Sequence, residues 1–283
     1  EIKKFITSYL NMKQKLLKVL KSSYTVVTII VIISVWIAIS YLGVSAGKEL
    51  FFPSDSNTGG VAGNAQENTD CNVSGVNLHG DVVTYNSPES YNEQGKLAVD
   101  QTSADDVYWL VKDANTNDKI KAIVVEIDSS GGSPVAGMEI MSAFKNSAKP
   151  VIAFVRNRAL SAAYLAATGA QTIFASSMSD IGSIGITMSY LENVEKNKKA
   201  GLKFIDLSSG PYKESGNSSR PITSGEKQMF MRDINLMYEN FVQMVAQNRN
   251  LDINKVRKIA DGSSVLADAA LKNGLIDKIG GIY

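Results

Sequence analysis

The sequence predicts an α/β fold, a mostly parallel sheet flanked by helices, carried behind one N-terminal transmembrane helix. Three observations predict it. Strand-like β-branched runs alternate with helix-like segments from residue 73 onward, a charge-free apolar stretch lies at 22–47, and a small, polar segment without apolar periodicity joins the two.

The N-terminal third divides by composition. Residues 1–21 carry Lys3, Lys4, Lys13, Lys15, Lys18 and Lys21 and read as a basic cytoplasmic segment. Residues 22–47 read as the transmembrane helix. Their core, "TVVTIIVIISVWIAISYLG", is about 19 residues long, and at a rise of about 1.5 Å per residue it spans about 28 Å, close to a bilayer's hydrocarbon thickness. A signal-peptide core is shorter, and Tyr24, Trp36 and Tyr41 stand where interfacial aromatics belong. The lysine asymmetry puts the N-terminus in the cytoplasm and everything after residue 48 on the extracytoplasmic side of the cell membrane. Residues 48–72 then read as a flexible tether.

Residues 73–283 form the predicted catalytic domain. "VSGVNLHGDVV" reads as a strand, "SADDVYWLVKDANTN" as a helix capped near Ser103, and "IKAIVVEID" as a buried strand. A glycine-rich turn and helix follow in "GGSPVAGMEIMSAFKNS", then the strand "KPVIAFVR" and the helix "LSAAYLAATGA". "QTIFAS" reads as a strand, "SYLENVEKNKKAG" as a helix and "KFIDLSS" as a strand. A long helix, "SGEKQMFMRDINLMYENFVQMVAQNRN", precedes the shorter "DINKVRKIA" and "SVLADAALKNGLIDKIG". This βαβα rhythm places active groups where strands end and helices begin. Met229, Phe230, Met237, Phe241 and Met244 form an apolar stripe on the long helix, read as core or subunit contact.

Charge and motifs narrow the chemistry. A net charge of +1 on 283 residues argues against nucleic-acid binding. The single cysteine, Cys71, excludes an intrachain disulfide and a cysteine-built metal site, and neither a metal nor a cofactor is expected. The chain has one histidine, His79, in an alternating strand where a structural role is expected, so a Ser-His-Asp triad lacks its base. HExxH and GxxxxGK[ST] are absent from the sequence. A serine enzyme built from these residues needs another base, and a lysine whose neutral amine is populated by burial can serve. Two glycine elements then matter. "EIDSSGGSP" ends a strand in paired glycines whose backbone N–H groups can face a developing oxyanion, and "SDIGSIGI" is a second strand-to-turn element.

In order, a hydrophobic strand running into "DSSGG", then "KPVIAFVRNRALSAAYLAATGAQTIFASSMSDIGSIGI", then "GLKFIDLSSGPYKESGNSSRPIT", resemble the signal peptide peptidase A family of membrane-anchored Ser-Lys peptidases, which share the ClpP/crotonase fold. The resemblance covers roughly residues 73–280. It implies Ser161 as nucleophile, Lys213 of "SGPYK" as general base, Gly132 with Gly131 beside it as oxyanion donor, and Ser183 of "GSIG" as the residue that orients the lysine amine. It also implies apolar peptide substrates such as signal-peptide remnants in the membrane, and a homo-oligomer whose neighbouring subunits complete the site. Tyr212 and Arg220 are read as fixing the loop.

The match has departures. Ala162 and Ala163 stand where the family usually has two glycines, and Asp128 and Ser130 where asparagine and proline are usual. They keep open a catalytically impaired, membrane-tethered peptide-binding scaffold of the same fold. A crotonase-like acyl-CoA enzyme is a second alternative, disfavoured by an extracytoplasmic placement.

Overall fold

A computed structural model describes residues 71–281. The expected basic segment, membrane span and nearly all of the tether lie outside the described residues. Among the described residues no helix is long and apolar enough to cross a membrane.

The strands are β1 (Val73–Val83), β2 (Gln101–Ser103), β3 (Ala122–Gly132), β4 (Val151–Leu160), β5 (Thr172–Ala175), β6 (Asp180–Gly182), β7 (Ser264–Leu266) and β8 (Lys278–Ile279). The helices are α1 (Ala104–Thr116), α2 (Pro134–Lys145), α3 (Ala162–Ala167), α4 (Val194–Lys199), α5 (Ser224–Asn248), α6 (Ile253–Ile259) and α7 (Ala267–Asn273). All the strands join one sheet in the order β2-β1-β3-β4-β5-β8, with β6 beside β4 and β7 beside β6. Every pairing is parallel except β6 with β7. The mostly parallel α/β prediction therefore holds.

Alternation along the strands sorts the two faces. Val76, Leu78, Val125, Ile127, Ala153 and Val155 are buried beneath α1, α2 and α3, each larger aliphatic contributing about 1.5–3 kcal/mol by its removal from water. The residues between them point the other way and form a charged face. There Glu126 meets Arg156 at 2.9 Å and Asp128 meets Arg158 at 3.5 Å. His79 belongs to this face. Its Nε2 lies 3.3 Å from Glu126 Oε1 without hydrogen-bond geometry, so the sole histidine sits in a sheet-surface cluster, as its alternating strand predicts.

Helix starts follow their sequence signals. Ser103 caps α1 by accepting from Asp106 N at 3.1 Å, and Asp252 caps α6 by accepting from Asn254 N and Lys255 N. Pro134 occupies the first turn of α2, where its missing N–H costs nothing. Thr223 and Glu226 form a reciprocal capping box at the start of α5, a T-x-x-E pattern legible in the sequence.

Two expected elements differ. "KFIDLSS" forms no strand, and the helix expected across 189–201 is confined to Val194–Lys199. A strand needs an edge to pair with, and 203–209 meets none among the described residues. Its apolar side chains face solvent instead, Leu207 at 95% exposure and Ile205 at 69%. The stripe on α5 divides: Phe241 is buried and Met244 half-buried against the core, whereas Met237 is exposed.

Candidate active site

Ser161 follows the last residue of β4 and directly precedes α3. Its backbone adopts φ 51°, ψ −123°, the first central position of a type II′ turn and a conformation dominated by glycine. The turn is pinned on both sides: Ser161 N–H donates to Gly182 O at 2.8 Å, and Ser161 O accepts from Leu165 N at 3.0 Å. The side chain makes no capping bond, and its hydroxyl has no hydrogen-bond partner among the described residues. A half-buried serine held in a costly turn with a free hydroxyl has the geometry of a strand-to-helix nucleophile elbow.

The altered residues after the serine fit this geometry. Ala162 and Ala163 are buried in α3 and are not among the residues with positive φ, so alanine carries no backbone penalty there. Close approach explains why the neighbouring helix needs glycine. A Cβ on Gly137 of α2 would come within 2.6 Å of Ala162 O.

The paired glycines of "DSSGG" lie against the serine. Gly131, at φ 104°, has no room for a side chain: a Cβ would fall 2.8 Å from both Leu160 O and Ser161 Cβ. Gly132 is equally confined, with Val82 O at 2.3 Å from where its Cβ would stand. Both belong to β3 rather than to a turn after it, because β1 continues alongside and pairs Val82 with Gly132. Buried Ser129 shapes this strand end, donating to Gly80 O at 2.6 Å and accepting from Gly131 N at 3.0 Å. Gly131 N–H is therefore engaged within its own strand end. Asp128, one residue before Ser129, turns to the opposite face, toward Arg158 and Asn157. Sequence reading did not find Ser129, whose part depends on a register shift in β1 between His79 and Asp81.

Ser183 follows β6 at φ 50°. Its N–H donates to Ser263 O at 3.0 Å and its hydroxyl to Gly262 O at 3.1 Å, leaving the oxygen lone pairs available as acceptors. Asp261 supports that turn by accepting from the Ser263 backbone N–H and hydroxyl, and these bonds hold its carboxyl below the usual range. Gly182 O binds Ser161 N and Ser183 is the next residue, so β6 physically links the two serines.

Lys213 lies in an exposed turn, 211–216, ahead of α5. Its ammonium has no hydrogen bond or ion pair among the described residues, and none joins it to Ser161 or Ser183. The described chain thus brings Gly131, Gly132, Ser161 and Ser183 together and leaves Lys213 on a separate, solvent-facing loop. A cleft of about 420 Å³ opens beside Gly132, lined by Thr84, Tyr85, Ser87, Gln101 and Ser133 among others. Among the described residues no group of three or more His, Cys, Asp and Glu side chains could hold a metal ion.

Comparison with known proteins now defines the class. The Clp protease family matches residues 95–181, the span that carries β2 to β5, the paired glycines and the strained serine. Peptidase family S49 matches residues 143–283. The chain is thus similar to peptidase family S49 over its C-terminal half. A Methanocaldococcus jannaschii protein named as a protease is 34% identical over 194 residues, 67% of this chain and 62% of the relative. An Enterococcus faecium protein named as a signal peptide peptidase is 29% identical over 197 residues, 69% of this chain and 54% of the relative. The chloroplastic serine protease SPPA of Arabidopsis thaliana is 30% identical over 175 residues, 61% of this chain and 26% of the relative. In each, the matched stretch covers less than two thirds of the relative's own length.

Proposed function

We propose that this chain is a membrane-anchored serine endopeptidase that cleaves apolar peptides, such as signal-peptide remnants, with a Ser161–Lys213 dyad. Ser161 Oγ attacks the scissile carbonyl carbon while neutral Lys213 Nζ takes the hydroxyl proton. The oxyanion is held by the N–H of Gly132, since the Ser161 N–H is already bound to Gly182 O. Collapse of the tetrahedral intermediate breaks the C–N bond as Lys213 returns the proton to the leaving amine. Water then attacks the acyl carbon as Lys213 takes its proton, and the C–Oγ bond breaks as Lys213 passes that proton to Ser161 Oγ, releasing the acid product and restoring the neutral amine.

The observation that carries this reading is the backbone of Ser161. A non-glycine residue at φ 51°, ψ −123°, with a free hydroxyl and a glycine forced against its Cβ, has no packing rationale and fits the needs of a presented nucleophile. The match to family S49 supports the peptidase class. Helical backbone at Ala162 and Ala163, and the pairing of Asp128 with Arg158, weigh against an impaired scaffold.

In the proposed assembly a neighbouring subunit brings the lysine and serine loops together. The apolar segment around Lys213 supports this: Leu191, Leu202, Ile205 and Leu207 are strongly exposed, and 203–209 has strand-like alternation without an edge to pair with. The membrane anchor is proposed on the 22–47 stretch, with the peptidase domain extracytoplasmic.

The test replaces Ser161 by Ala and, separately, Lys213 by Ala in the full chain. Both variants should lose hydrolysis of an apolar peptide, and Ser161→Ala should lose labelling by a fluorophosphonate serine probe. Wild-type hydrolysis in either variant refutes the dyad, and a wild-type chain that the probe never labels favours the binding scaffold.

A further inference from the structure

We infer that Arg220 and Glu226 form a clamp that positions Lys213 for its reaction with Ser161, a role that rests on the dyad proposed above. The observations concern the residues on either side of the lysine. Glu226, in the first turn of α5, is fully buried, yet it carries a charge. Arg220 meets it through two bonds, Nη2 to Oε1 at 2.6 Å and Nη1 to Oε2 at 2.9 Å, while Thr223 N and Oγ each donate to Oε2 at 2.8 Å. A capping box needs only the Thr223 contacts. The added guanidinium takes a second charge largely out of water, a cost that ion pairs recover only with good geometry and further hydrogen bonds.

Arg220 spends its remaining reach on the lysine loop. Its Nη2 also donates to Glu214 O at 2.9 Å, on the residue directly after Lys213. On the other side, Tyr212 lies against the first turn of α5, its hydroxyl oxygen 3.0 Å from where a Cβ on Gly225 would stand. Both neighbours of Lys213 are thereby fixed to the start of α5, while the Lys213 ammonium stays unpartnered among the described residues. The far half of the helix is anchored in the core by Phe241, Val242 and Val245. Helix, ion pair and loop make one connected unit that carries the lysine, and the carboxylates of Asp206 and Glu214 are the other charges that act on Arg220. Such a device suits an amine that must be presented to an acceptor elsewhere, because misplacement by about 1 Å costs on the order of a hundredfold in rate.

The experiment uses the full chain with Glu226→Gln, Arg220→Ala and the milder Arg220→Lys, beside Lys213→Ala, all assayed on one apolar peptide well below their unfolding temperatures. Glu226→Gln and Arg220→Ala should lower kcat about tenfold or more with KM within about threefold, and Arg220→Lys should recover part of the loss. Hydrogen exchange should quicken in peptides spanning 209–222 and stay unchanged in β4 and α3. This exchange readout stands even if one variant folds poorly, because Arg220→Lys keeps the charge. Wild-type kcat in all three clamp variants overturns the proposal. So does a kcat loss accompanied by faster exchange across β4 and α3, which would mark general loosening. If Lys213→Ala keeps wild-type kcat, the dyad itself fails and the clamp loses its purpose; if Lys213→Ala is inactive while the clamp variants are normal, only the clamp fails.

Discussion

Replacing Ser161 by glycine should stabilise the fold while removing the hydroxyl, and the size of the gain follows from the backbone. A serine held at φ 51°, ψ −123° stores about 1–3 kcal/mol that glycine does not. Glycine gives back about 0.4–1 kcal/mol by enlarging the unfolded ensemble, which leaves a net of about 1 kcal/mol. Ser161→Ala is the proper reference, since it also lacks the hydroxyl but keeps a Cβ in the same strained turn. The hydroxyl has no partner to lose among the described residues, so the alanine variant isolates the backbone effect. For a domain of this size about 1 kcal/mol corresponds to about 2–4 °C in Tm. Thermal and urea unfolding of the two variants measure the difference directly. A glycine variant no more stable than the alanine variant refutes the claim that the fold holds Ser161 under strain.

Three further outcomes follow from contacts already described. Gly131→Ala places a Cβ 2.8 Å from Ser161 Cβ at a φ of 104°, so peptide hydrolysis should collapse, with a stability loss of about 1–3 kcal/mol read by urea unfolding. Gly169→Ala puts a Cβ 2.2 Å from Met141 O in the helix packing behind the site; it should cost about 1–3 kcal/mol or more, while kcat below the lowered Tm stays near wild type. Asp277 is pushed up by burial, but the Arg249 guanidinium and the Ile173 amide outweigh this and hold its carboxyl below the ordinary 3.8. A lowered folded pKa means the contribution is complete above the unfolded pKa, about 3.9, and fades as pH falls through the folded value. The gap in urea midpoint between wild type and Asp277→Asn should thus be full at pH 6 and shrink below about pH 4; a gap that widens on acidification contradicts the assignment.

Much of the domain was legible in the sequence because its strands are long β-branched runs and its helices carry side-chain caps. "IKAIVVEID" and "KPVIAFVR" could bury both neighbours and themselves only in a parallel sheet, and Ser103 announced α1. The site was partly legible as an order of glycine and serine elements. Its strain was not, since alternation says nothing of a single φ, and Ser129 became visible only once the register shift between β1 and β3 brought it to Gly80 O. "KFIDLSS" misled for a physical reason: alternation marks a strand's capacity to pair, and the edge that satisfies it must come from elsewhere. Glu226 was hidden in plain view as the last residue of a capping box, because sequence alone does not show Arg220 reaching the same carboxylate.

The pairing of β6 with β7 also sets an order of events during synthesis. Ser161 N–H needs Gly182 O, and the strand that supplies it is bounded on its other side by residues 264–266, with Ser183 tied to Gly262 and Ser263. Roughly a hundred residues separate the nucleophile from that support, or about 5–20 s of translation at about 5–20 residues per second. For that interval the serine exists without the scaffold that bends its backbone. A chain interrupted before residue 264 therefore lacks the β7 pairing and the Ser263 contact that steady β6 and Ser183 behind the Ser161 turn.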